Sequence, residues 1–212
     1  SRVLTHPVRA PATIQLDERR VSVVALRFDA FLENVADVTT GSPVRKGDRL
    51  MRVYSAEILA AAAQFRSTLG QRSDIGDARP AIDGARRRLE NMGIPADAIA
   101  AIEKTRDVPR AIDWYAPREG IVLERGAVEG MRATAGEALF RLADVSIVWA
   151  LVDVAERDIG AIKPGDRAAI TVRGMPGRMF EGRIDLILPQ VNMATRTTRV
   201  RIELANPDGA LM

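Results

Sequence analysis

Two stretches of this chain follow one pattern. Gly41-Ser-Pro-Val-Arg-Lys-Gly47-Asp-Arg-Leu50-Met51 and Gly130-Met-Arg-Ala-Thr-Ala-Gly136-Glu-Ala-Leu139-Phe140 each place a glycine at the opening of a turn and a second glycine six positions later. An acid follows in both, then an apolar pair that begins a strand. Glycine suits such places because a turn with positive φ carries no steric penalty for it. The segments upstream also correspond, Ala30-Phe31-Leu32 with Gly120-Ile121-Val122, after a shift of one residue. Gly41, Gly47, Gly120, Gly130 and Gly136 are therefore expected as structural turn positions. A half of this size cannot bury its own apolar face, so the two halves are expected to form one split β-sandwich. Whatever lies between them must leave the sandwich and return.

The remaining chain fits around that repeat. Val8 to Gln15 is extended but interrupted by Pro7 and Pro11, which points to an edge strand. Val21 to Phe28 is rich in β-branched residues and leads into the first half-motif. After Ser55, a candidate helix cap, Ile58, Leu59, Ala62, Phe65 and Leu69 recur at helical spacing until Gly70. Gly70 to Arg79 reads as a tip, with Gln71, Arg72, Ser73 and Asp74 as candidate partner contacts. Pro80 fits the first turn of a returning helix, which Gly93 ends, and a third helix starts near Pro95. Narrow apolar stripes of this kind predict an antiparallel helical hairpin that projects from its parent, with a compact helical cap folded onto the sandwich as the alternative. Beyond Leu142 come Val145 to Val154, Arg167 to Val172, Phe180 to Leu188 and Thr197 to Leu204, strands of a small antiparallel barrel.

The predicted fold class is mainly β with a helical hairpin insert. A split lipoyl-like (barrel-sandwich hybrid) domain is combined with a small antiparallel β-barrel in an elongated, nested, multi-domain chain. The expected domains are 1–19 with 143–212 for the barrel, 20–53 with 108–142 for the sandwich, and 54–107 for the helical hairpin. Flexible joints are expected near Arg19-Arg20, Thr105 to Pro109 and Leu142 to Asp144, where the chain passes between domains.

Composition narrows the chemistry. The 31 basic and 28 acidic residues nearly cancel, and Arg86-Arg87-Arg88 is the one dense basic run, so no nucleic-acid partner is expected. Without cysteine there is neither disulfide nor thiolate chemistry. A single histidine, His6, and no Ser-His-Asp set or Gly-rich phosphate loop leave no catalytic residues to nominate, so the chain is not expected to be an enzyme. A lipoyl- or biotinyl-type carrier is the remote alternative. Its modified lysine would sit at the hairpin tip between the half-motifs, a site the helical insert occupies, and none of Lys46, Lys104 and Lys163 lies at that tip.

Several strings, in this order, resemble the periplasmic adaptor subunits, or membrane fusion proteins, of heavy-metal RND efflux systems, in particular the CusB-type (HlyD/CusB) branch. They are Arg27-Phe-Asp-Ala-Phe-Leu-Glu33, Val53-Tyr54-Ser55-Ala-Glu57, Leu89-Glu-Asn-Met-Gly93, Ala116-Pro117 with Gly120, Ala143-Asp144-Val-Ser146-Ile-Val-Trp149, Glu156-Arg157-Asp158, Thr195-Arg196-Thr197 and Asn206-Pro207-Asp208-Gly209. The resemblance covers essentially the whole chain, with two departures. Ala30 stands where the family usually has glycine, and Gly70 to Arg79 is too short for the long coiled hairpin of the drug-efflux branch. The resemblance implies a periplasmic adaptor linking an inner-membrane RND transporter to an outer-membrane channel for Cu/Ag or Zn/Co/Cd, self-associated into a ring (trimer or hexamer). A multidrug RND adaptor is the alternative. The inner-membrane anchor and the membrane-proximal domain are expected to lie outside this chain.

No cofactor is expected beyond transient contact with a heavy-metal ion. Thioethers select Cu(I) and Ag(I), and Met175 and Met179 flank the turn Pro176-Gly177, so these two are the candidate metal ligands, with packing of the loop as the alternative role. Met51 and Met92 fall on apolar periodic positions and are expected in a core. The Met-rich N-terminal segment found in the CusB-type branch is not present in residues 1–20, and the ion stays unassigned.

Overall fold

The computed structural model describes residues 8–70 and 79–211. His6, Met212 and the candidate tip at Gln71, Arg72, Ser73 and Asp74 lie outside the described residues. The element order is β1 (Ala12–Leu16), β2 (Val21–Ala25), β3 (Ala30–Val35), β4 (Pro43–Val44), β5 (Arg49–Tyr54), α1 (Ala56–Gly70), α2 (Arg79–Asn91), α3 (Ala96–Thr105), β6 (Ile112–Tyr115), β7 (Gly120–Arg125), β8 (Arg132–Ala133), β9 (Ala138–Ala143), β10 (Ile147–Ala155), α4 (Glu156–Ile159), β11 (Arg167–Thr171), β12 (Met179–Asn192) and β13 (Thr197–Ala205).

The two half-motifs close on each other by exchanging edges. One sheet has the order β6-β5-β3-β8 and the other β2-β9-β7-β4. The inner strands of each sheet come from one half and the outer strands from the other. The registers agree as well: Phe31↔Tyr54, Leu32↔Val53, Asn34↔Arg52 and Val35↔Met51 in the first half match Ile121↔Ala143, Val122↔Leu142, Glu124↔Arg141 and Arg125↔Phe140 in the second. Each ladder is broken at the same point, between Leu32 and Asn34 and between Val122 and Glu124. The shift of one residue seen in the sequence is thus a difference in the link between the two strands, and the strands themselves superimpose in pattern.

The turns repeat to the level of single hydrogen bonds. Asp48 accepts from the Arg45 N–H at 2.7 Å, and Glu137 from the Thr134 N–H at 2.9 Å. The amide of Gly41 donates to Val122 and that of Gly130 to Leu32. Gly47 and Gly136 have φ of 88° and 83°, and Gly41 and Gly130 have 89° and 82°. Gly120 differs: it begins β7, opposite Val44, instead of lying within a turn.

The chain divides into two units. One runs from Ser22 to Ala143; the other combines the residues up to Val21 with those from Asp144 onward. The expected helical domain at 54–107 falls within the first of these units. Ile58, Ala61, Ala62, Phe65 and Leu69 of α1, Leu89 of α2 and Ile99 and Ile102 of α3 belong to the same continuous core as Leu26, Phe28, Leu50 and Leu142 of the sandwich. α1 packs chiefly against α2, with α3 against both. At the end of α2, Gly93 (φ 78°) donates to Glu90 and Ile94 donates to Leu89, the paired bonds of a Schellman cap.

In the other unit, a five-stranded antiparallel sheet has the order β1-β10-β13-β12-β11. β1 is an edge strand, which accommodates Pro11 just before it. β13 alternates as its sequence requires, with Thr198, Val200, Ile202 and Leu204 buried. Val148, Ala150, Val152, Ile170, Phe180 and Leu211 complete this separate core.

Substituting Gly136 with valine should lower the unfolding free energy by about 1–2 kcal/mol, because the left-handed conformation disfavours any Cβ even though the space around it is open. Gly84→Ala, at an exposed interior position of α2, should stabilise by about 0.5–1 kcal/mol. Urea titration followed by circular dichroism checks both signs. Phe65→Ala should cost about 3–5 kcal/mol and lower sandwich and helix signals in one transition, as a shared core demands.

Candidate functional site

The start of β3 shows why an acid stands between two apolar positions. Phe28 turns into the core, edge-on to Trp114 with ring centroids 5.9 Å apart. Asp29 faces outward and accepts from the Ala135 N–H at 3.0 Å and from Arg132 at 2.9 Å. The Ala135 amide first, and the Arg132 guanidinium with it, hold the Asp29 carboxyl below the usual carboxylate range. Asp29 thereby pins the turn of the second half-motif to the first. Arg27, two residues before, lies against Gly93 and donates to the Asn91 carbonyl at 3.2 Å, so it fastens the end of α2 to the sandwich. The helices are fixed among themselves by an ion pair between Arg86 of α2 and Glu103 of α3.

The barrel unit carries a denser polar arrangement. Trp149 of β10 has the guanidinium of Arg201 4.2 Å from its ring centroid and that of Arg19 at 5.3 Å. Arg201 pairs with Asp185 at 2.6 Å, while Arg19 pairs with Asp17 at 2.8 Å and Glu203 at 3.0 Å. Each guanidinium is thus neutralised at its edge and stacked on its face, a geometry planar arginine permits and lysine does not. Asp17 is buried; the Arg19 side-chain bond above all, with the Arg19 backbone N–H and the charges of Arg19 and Arg20, outweighs that burial and lowers its pKa. Asp17 first, and Glu203 with it, raise the pKa of Arg19.

The candidate metal ligands are not alike. Met175 packs against the barrel core, whereas Met179, the first residue of β12, is 61% exposed. Met51 is fully buried and Met92 packs against the sandwich core. Among the described residues, no three His, Cys, Asp or Glu side chains come together as a ligand set. A groove of about 280 Å³ near the β12–β13 turn is bordered by Asp153, Leu188, Val191 and Arg199, with Arg199 and Asp153 paired at 3.4 Å. Lys46, Lys104 and Lys163 are all exposed, and three helices occupy the chain between the half-motifs. Ser55 is buried, and its carbonyl accepts from Leu59 at the start of α1.

Residues 21–143 match the family described as CusB, barrel-sandwich hybrid domain, and residues 147–212 match CusB-like, beta-barrel domain. The chain belongs to the CusB family of membrane fusion proteins. These are adaptors of RND efflux systems. Among its relatives are SilB of Salmonella typhimurium, 27% identical over 97% of this chain and 47% of that protein, and the cation efflux system protein CusB of Escherichia coli, 24% identical over 98% and 50%. The chain spans about half the length of the relatives it matches. The crystal structure of ZneB from Cupriavidus metallidurans shares the fold, with a TM-score of 0.59 at 22% identity over 95% of this chain and 92% of that one. In this CusB-family chain, the strings at Arg27–Asp29 and at Trp149 carry the fasteners just described. Sequence reading grouped those residues without assigning their contacts, because Asp29 and Arg132, or Arg19 and Glu203, meet only once the chain has folded back.

The lowered pKa of Asp17 fixes the sign of an acid effect. Its contribution to stability is complete above the unfolded carboxylate value near 3.8 and is lost as pH falls through the lower folded value. Melting temperatures measured between about pH 5 and pH 2 should therefore fall less steeply in Asp17→Asn than in the parent, with the variant already less stable at neutral pH.

Proposed function

We propose that this chain is the core of a periplasmic adaptor that links an inner-membrane RND transporter to an outer-membrane channel and serves the export of heavy-metal cations. The observation that carries the proposal is the succession of two CusB-type domains that together account for nearly all of the chain, one of whose relatives is named a cation efflux system protein. The physical arrangement suits the role. Proton-driven energy comes from the transporter, so the adaptor requires geometry instead of a reactive centre. The sandwich supplies it through a body closed by repeated ladders, and the barrel through a second core with its own surface.

Partners are engaged in this proposal by separate parts of the chain. The barrel contacts the transporter, the sandwiches of neighbouring copies line a ring, and the segment between α1 and α2 approaches the channel. Metal contact with the adaptor, where it occurs, would use exposed thioethers such as Met179, with Met175 held back by its packing. The cation is one of two groups, Cu(I)/Ag(I) or Zn(II)/Co(II)/Cd(II), distinguished by preference for sulfur or for nitrogen and oxygen donors.

A strain deleted for the gene should become sensitive to one of these cation groups on graded plates, with resistance restored by the full-length gene. Sensitivity to hydrophobic drugs alone would move the protein to the multidrug branch, and full resistance to both metals and drugs would remove the efflux role.

A further inference from the structure

The turns that open the two half-motifs share a pattern of hydrogen bonds with one change of acceptor. In the first, the Ser42 N–H donates to the Thr39 carbonyl at 2.9 Å, and the Thr39 N–H donates to the Ser42 hydroxyl at 3.0 Å. In the second, the Met131 N–H donates to the Val128 carbonyl at 3.2 Å, and the Val128 N–H donates to the Met131 Sδ at 3.1 Å. Each turn then ties its half to the other. Gly41 and Ser42 exchange bonds with Val122 at 2.8 and 3.0 Å, and Gly130 and Met131 do so with Leu32 at 2.7 and 3.0 Å. A thioether therefore stands where the sister copy has a hydroxyl.

The two acceptors differ in what can happen to them. A hydroxyl is inert to mild oxidants, whereas a thioether sulfur is a weak acceptor that takes up oxygen. Met131 is half-buried: its side chain packs against the sandwich core, while the turn before it, Val128 to Gly130, is exposed. Among the described methionines, Met131 is the one whose sulfur accepts a hydrogen bond. Met51 is sealed in the core, and the exposed Met179 and Met193 belong to the barrel unit.

We propose that Met131 is an oxidation site through which a peroxide loosens the closure of the sandwich at β3. The step is a two-electron transfer. A sulfur lone pair attacks one peroxide oxygen, the O–O bond breaks, the sulfur keeps that oxygen as a sulfoxide, and the other oxygen leaves as water with both protons. At 3.1 Å there is no room for an oxygen between Sδ and the Val128 nitrogen. Either the sulfur draws back so that the new oxygen accepts from that amide, pulling the side chain off the core, or the amide loses its acceptor. Both outcomes weaken the turn that presents Gly130 and Met131 to Leu32. The first half, with Ser42, keeps its tie to Val122. One seam of the sandwich is thus sensitive to oxidant and its counterpart is not. The inference concerns this unit alone and stands whichever cation or drug the system exports.

The test uses the full chain carrying Met179→Leu and Met193→Leu, so that the exposed barrel sulfurs do not compete for oxidant. Hydrogen peroxide is added, peptide mass mapping locates the added oxygen, and hydrogen exchange is read amide by amide. Met131 is expected to be oxidised in the folded protein, with exchange at Val128 and Leu32 about tenfold faster and exchange at Thr39 and Val122 unchanged. A methionine sulfoxide reductase should restore the original rates. In Met131→Ser, which copies the first half, the Val128 amide should keep its protection and peroxide should leave Leu32 unaffected. Should that variant not fold, Met131→Leu retains the bulk without the acceptor, and its Val128 amide should exchange faster from the outset and not respond to peroxide. Met131 left unoxidised in the folded protein overturns the proposal, as do unchanged rates at Val128 and Leu32 after oxidation, or the same acceleration by peroxide in either variant.

Discussion

Neither half of the sandwich can satisfy its own strand edges, and the rest of the structure follows from that. β4 has only two residues and β8 only two, too short to form a sheet with their own neighbours, yet each caps the inner strands of the opposite half. The turns that deliver them carry the same glycine conformations and the same acid-to-amide bond in both copies. Closure is thus cooperative: the bonds from Gly41 to Val122 and from Gly130 to Leu32 form only when both halves are present. Buried residues of the helices continue the core of this closed body.

Polar contacts do a different task from the apolar core. The core joins helices to strands over a wide area but gives little direction, since alanine and leucine surfaces tolerate small slips. Direction comes from single residues placed at junctions, such as Asp29 between the two halves, Arg27 at the end of α2 and Asn206 behind the returning strand. In the barrel, Trp149 and its flanking arginines perform the same service across β10, β13, β12 and the 3₁₀ turn Glu18–Arg20. Their surface ion pairs are individually worth little; stacking and shared acceptors are what make the arrangement specific.

Much of this was legible in the sequence. Glycines spaced alike in Gly41–Gly47 and Gly130–Gly136 announced the repeat, because few residues other than glycine tolerate those turns, and the alternation in Thr198 to Leu204 announced β13 with its buried face. Periodicity also located the helices. It did not show what covers them, since an apolar stripe carries no record of whether a helix or a sheet lies opposite. The helices expected at 54–107 pack against one another and lie in the same unit as the sandwich. Met175 and Met179 illustrate the same limit at a smaller scale: four positions apart across a Pro-Gly turn, they face a core and solvent respectively. Asp29, Arg20 and Asn206 were visible only as members of strings, because their partners are distant in the chain and no local pattern encodes such meetings.

The exchange of edges also dictates an order of events during synthesis. Ala30 finds its ladder partner in Ala133, so the first half-motif emerges with open edges and must wait while roughly a hundred further residues are made. In that interval α1 to α3 can form by local contacts, and the nascent chain carries helices attached to an unfinished sheet. A strand edge held open for so long invites pairing with other chains. The short length of β4 and the arginines at positions 49 and 52 beside the waiting strands limit that hazard, which makes the charge on this surface a safeguard of biogenesis as well as a property of the finished fold.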